Sequence, residues 1–146
     1  MLNQGLYYLT KEKETTGYSH QFGWIHAFAH GGDLLTEVIC HPSFPKSNIA
    51  EAFEIIGKIF KRVEIRFTND EDWRLARAFY EPILRGKIEP SLLTAWLQTV
   101  EFPLKEANDF HKFSNFRSCL LEIYLQLDCH NLLQDDLKKI IQSFHY

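Results

Sequence analysis

The stretch GWIHAFAHGGDLLTEVICHP, residues 23–42, decides the fold, because it reads as one helix with two unlike faces. At about 100° per residue, Trp24, Phe28, Leu35 and Ile39 fall on one side, while His26, His30, Asp33 and Glu37 line up on the other. That second stripe holds only side chains able to ligate a metal or move a proton. Gly31 and Gly32 lie on the apolar side, where a missing side chain lowers helix propensity but lets another backbone come close. Pro42 and Pro45 stop the helix, since proline restricts its predecessor and cannot continue the ladder.

Working outward, Leu2, Leu6 and Leu9 suit a short opening helix over 2–12, weakened by Gly5, and a turn-rich connection follows over 15–19. Downstream, Ser47 starts a helix in which Ile49, Phe53, Ile56, Ile59 or Phe60 and Val63 recur every three or four residues, as far as about Phe67. Thr68 to Glu71 fits a capping box, so a third helix is expected from Asn69, with Trp73, Ala76, Phe79, Tyr80 and Ile83 inward, Pro82 in its last turn and Gly86 as its stop. Pro90 suits the first position of a fourth helix carrying Leu92, Leu93, Trp96, Leu97 and Val100, closed by Pro103. Phe113, Phe116 or Arg117, Leu120, Ile123 or Tyr124 and Leu127 make a fifth, and Leu133, Leu137, Ile140, Ile141 and Phe144 a sixth.

No alternating run is long enough for a paired strand, so the chain reads as all-α. Trp24 precedes Leu34–Leu35 as Trp73 precedes Ile83–Leu84, and Phe116 opens a comparable helix. Those starts are 49 and 43 residues apart, near the period of about 40 to 47 of helical-hairpin repeats. The fold class expected is therefore three stacked helical hairpins, a HEAT/armadillo-like α-α superhelix, forming one domain over 1–146.

A chain of 146 residues, 45% hydrophobic and 24% charged, can bury a workable core without disulfides. Its formal charge of −3 argues against a nucleic-acid partner, which calls for a concentrated cationic surplus. The basic run from Lys58 to Arg66 is broken by Glu64 and apolar positions and reads as a solvated helix face. Three cysteines, Cys40, Cys119 and Cys129, without a CxxC pair suggest a reducing compartment. No apolar stretch approaches the ~20 residues that span a bilayer, so no membrane association and a cytoplasmic location are expected.

Gly23-Trp24-Ile25-His26-Ala27 with Ala29-His30-Gly31 and Asp33-Leu34-Leu35, Asp70-Glu71-Asp72-Trp73-Arg74-Leu75-Ala76, and Asn115-Phe116-Arg117-Ser118 with Tyr124-Leu125-Gln126-Leu127 together resemble the bacterial family called domain of unknown function 2785. Members of that family extend further towards the N-terminus, so the resemblance implies a shortened member. Arg117 departs from the pattern, standing where an apolar side chain is usual. The family carries no established activity; the resemblance implies helical architecture and no reaction.

Three readings of the polar stripe remain open: a metal site, a metal-free acid/base or ligand-binding site, and a structural face. His26 and His30, four apart on a helix, can turn ring nitrogens to one point, and Asp33 adds an oxygen from the next turn, a ligand set suited to zinc, manganese or iron. Such a site makes the chain a metal-dependent hydrolase with Glu37 as candidate catalytic base, although the Glu that follows the first His in HExxH is missing. The structural reading, which is the strongest, has this face meeting the next hairpin, its polar groups satisfied there. The chain is then a binding or interaction scaffold, with Trp24, Glu37 and His41 as candidate binding residues. Because stacks expose apolar faces at uncapped ends, a protein partner or self-association into a homo-oligomer is expected with it.

Overall fold

A computed structural model describes the backbone at 18–19, 23–24 and 27 and the chain in full from 28 to 145. Within those residues the architecture is all helical apart from one very short ladder. The six α-helices are α1 (Ala27–Cys40), α2 (Ile49–Arg62), α3 (Glu71–Leu84), α4 (Pro90–Leu97), α5 (Ala107–Cys129) and α6 (Asp135–Ser143), with a 3-10 turn, Lys46–Asn48, before α2. The expected opening helix over 2–12 lies outside the described residues.

The helices sort into two rows. The odd-numbered helices pack side by side, α1 on α3 and α3 on α5, while α2 packs on α4 and α4 on α6; α5 also reaches across to α2 and α6. Between the rows runs one continuous apolar cluster, from Phe28, Leu35 and Ile39 of α1 to Leu137 and Ile141 of α6. Its hub is Phe116, fully buried, whose ring meets Phe60, Trp96, Phe102 and Phe144 at centroid distances of 5.4, 6.2, 4.8 and 5.6 Å. Edge-on and offset contacts of this kind suit the quadrupoles of aromatic rings.

Glycine sets the closeness of two helix pairs. A Cβ built on Gly32 would lie 2.9 Å from the carbonyl oxygen of Arg74, so the backbones of α1 and α3 touch there, as the apolar-face position of this glycine suggested. A Cβ on Gly57 of α2 would lie 2.7 Å from the Trp96 ring of α4. Pro90 opens α4 at its first turn, and Gly86, with φ +73°, ends the α3 turn in the left-handed region that glycine adopts without steric cost.

Four expectations are corrected. The leading helix begins at Ala27, not Gly23; Gly23–Trp24 is extended and pairs antiparallel with Tyr18–Ser19, in keeping with the low helix propensity of a Gly-Trp-Ile-His run. The second helix stops at Arg62 rather than near Phe67, because Val63 and Phe67 turn inward from an extended segment with exposed residues between them. That segment is held by Asn115 of α5, fully buried: its amide oxygen accepts the Phe67 N–H at 2.9 Å and a hydrogen bond from the Arg66 guanidinium, and its NH2 donates to the Ile65 carbonyl at 2.8 Å. The Thr68–Glu71 capping box is not made. Asp70 precedes the helix in the left-handed region at φ 64°, and the Glu71 carboxylate accepts from the Asn69 N–H at 2.8 Å. Trp73, expected inward, is 49% exposed, whereas Ala76, Phe79, Tyr80 and Ile83 are buried as expected, and Leu75, outside that set, is buried in its place.

Candidate functional site

On α1 the stripe opposite the core faces α3. Asp33 and Glu37 sit four residues apart, one turn of helix, and Arg74, Arg77, Glu81 and Arg85 follow at three, four and four along α3, so two charged faces meet in a seam. Arg74 donates to both Asp33 oxygens, through Nε at 3.1 Å and through Nη2, and Arg77 Nη1 donates to Oδ1 at 2.7 Å. Arg85 clamps Glu37 through Nη1 at 3.3 Å and Nη2 at 3.0 Å, and reaches Glu81 through Nε at 3.2 Å. Such forked pairs fix orientation as well as charge.

The pKa values follow. Partial burial pushes the Asp33 carboxyl up, but the hydrogen bonds and charges of Arg74 and Arg77 together outweigh it and hold it below the usual carboxylate range. The Arg85 hydrogen bond holds Glu37 down in the same direction, and the Asp33 hydrogen bond raises Arg74.

The remaining stripe residues are placed as follows. His30 is exposed on α1. His26 and the Trp24 side chain lie outside the described residues. His41 stands beyond the helix end, and its Nδ1 accepts from the Ser43 N–H at 3.1 Å. The cation that closes the end of α1 is Lys87, whose Nζ donates to the carbonyls of Ile39 at 2.7 Å and His41 at 2.6 Å. Of the candidates, Asp33 and Glu37 thus share the seam and His41 does not. Among the described residues, no three His, Cys, Asp or Glu side chains gather as a metal set, and no helix is long and apolar enough to cross a membrane.

Beside the seam lies a hollow of about 580 Å³, which the sequence did not single out. Along α3 it is lined by Trp73, Arg74, Arg77 and Tyr80, at its end by the turn through Asp70, and across from these by Glu122 of α5. The spacing of the α3 residues puts them on one helical face. The Trp73 indole is tethered across the hollow, its Nε1 donating to Ser118 Oγ at 3.2 Å, one turn before Glu122. Burial, with Glu122 nearby, pushes the Tyr80 phenol up to about 12, so it is a neutral hydrogen-bonding group at physiological pH. An aromatic face, oriented guanidiniums and carboxylates on two helices are equipped to bind a polar chain. Its trace in the sequence is the spacing of Asp70, Trp73, Arg74 and Arg77 at the start of α3, where the apolar character of tryptophan points to the core instead.

The sequence profile of the family described as "Protein of unknown function (DUF2785)" matches residues 1–125. Comparison with curated proteins and with solved structures found no match.

Proposed function

From membership of the chain in the DUF2785 family, whose description names no reaction, we propose a non-enzymatic binding module, a HEAT/armadillo-like stack of helical hairpins that takes an extended protein segment along its odd-helix row. The observation that carries this reading is the hollow on α3, with Trp73 half-exposed between helices. Tryptophan, tyrosine and arginine are the residue types that dominate binding energy at protein interfaces, and all three line it. The volume falls within the range of about 300–1,000 Å³ typical of ligand sites.

The seam favours this reading over hydrolysis. Asp33 and Glu37 would have to leave their arginine partners to ligate a cation or to serve as a base, and those forked pairs oppose it. The test is selection of a displayed random peptide library on the full chain, followed by rebinding to a Trp73→Ala variant of unchanged helical content. A consensus peptide whose affinity falls at least tenfold on Trp73→Ala is the expected result; selection that yields no Trp73-dependent peptide would overturn the proposal.

A further inference from the structure

Resting on the binding-module reading, we infer that the α3–α5 hollow recognises a cationic side chain, arginine foremost, presented by a basic peptide segment. The charge distribution of its walls carries the inference. Arg74 and Arg77, the two cations of the lining, direct their guanidiniums to Asp33 behind them. Arg77 Nε also has Glu81 at 3.9 Å. The carboxylates of Asp70 and Glu122 lie on the same lining, at the start of α3 and on α5, and neither forms an ion pair with these arginines. Glu122 accepts instead from the neutral amide of Gln126 at 2.9 Å. The lining itself holds two carboxylates and two guanidiniums; both guanidiniums are already hydrogen-bonded to Asp33 behind them, and the group of five charges as a whole is negative by one.

The same lining carries the Trp73 ring, 49% exposed and fixed by Ser118. An indole face is the best aromatic partner for a cation. A planar guanidinium can lie on an indole face and direct its N–H groups to carboxylates of the same lining, which a compact ammonium does less well. An acidic or phosphorylated segment meets the same two carboxylates, while the guanidiniums that would attract it are already engaged by Asp33.

The experiment is fluorescence anisotropy of short fluorescein-labelled peptides on the full chain: an arginine–serine peptide, its lysine–serine analogue and its glutamate–serine analogue. The expected order is arginine over lysine over glutamate, with affinity falling as salt rises. Glu122→Gln, which keeps size and shape, is expected to weaken the arginine peptide about tenfold, and Trp73→Leu by a similar factor, with unchanged circular dichroism melts in both. Equal binding by Glu122→Gln, or tighter binding of the glutamate peptide, would overturn the inference. A Trp73-dependent consensus without a cation, from the library selection, removes this inference and leaves the binding module standing; absence of any such consensus removes both.

Discussion

Asp33 shows how one side chain ties α1 to α3. Its carboxylate takes three hydrogen bonds from two arginines, and its ionised form is favoured in the folded state. Because its folded pKa is lowered, its stabilising contribution is full above the unfolded value of about 3.9 and is lost as the pH falls through the lower folded value. Asp33→Asn is therefore expected to destabilise the protein by about 1–2 kcal/mol near neutral pH, with the difference shrinking as the pH drops below about 4. Urea unfolding of both proteins over a pH series checks this; a difference that widens in acid would reverse the sign. The stripe itself was legible, since helical period alone puts Asp33 and Glu37 opposite Leu35 and Ile39. Its partners were not, because periodicity says which face is polar and nothing about which helix it meets. The 41 and 44 residues from Asp33 to Arg74 and Arg77, and the 48 from Glu37 to Arg85, are close to the 49 residues that separate Trp24 from Trp73, and that spacing held the missing information.

For pairs of elements, the approach of α1 to α3 at Gly32 is the constraint set by backbone against backbone. Replacing glycine by alanine inside an exposed helix would stabilise it by about 1 kcal/mol. Here the new methyl meets backbone, 2.9 Å from the Arg74 carbonyl oxygen and 3.1 Å from the Leu75 nitrogen, and neither atom can swing away as a side chain would. Overpacking of this kind costs about 1–3 kcal/mol, so Gly32→Ala is expected to lower the melting temperature by a few degrees in calorimetry; a rise would mean that the two helices separate freely. Among the described residues, helix identities came through from sequence because apolar residues recur at helical spacing, most strongly from Ile49 to Phe60. Boundaries failed where a non-local partner decides them. Val63 to Phe67 fits a helical spacing as well as an extended one, and only Asn115, some fifty residues away, selects between the two.

Across the molecule, a single cluster joins every helix, with Phe116 in contact with rings from α2, α4, the α4–α5 connection and the end of α6. Unfolding is accordingly expected to be one cooperative event. Far-ultraviolet circular dichroism and tryptophan fluorescence should give the same denaturant midpoint, and Leu137→Ala, at the far end of the even row, should shift both together by about 2–5 kcal/mol of stability. Separate midpoints would show rows that melt independently.

Asn115 also governs the order in which the chain is completed. The passage from α2 to α3 lies early in the chain, yet the amide that closes it belongs to α5. On the ribosome, a nascent chain that has released everything up to α4 still has the Ile65 carbonyl and the Phe67 N–H turned to water, so the early joint is sealed late and a chain interrupted before α5 is left open in its middle.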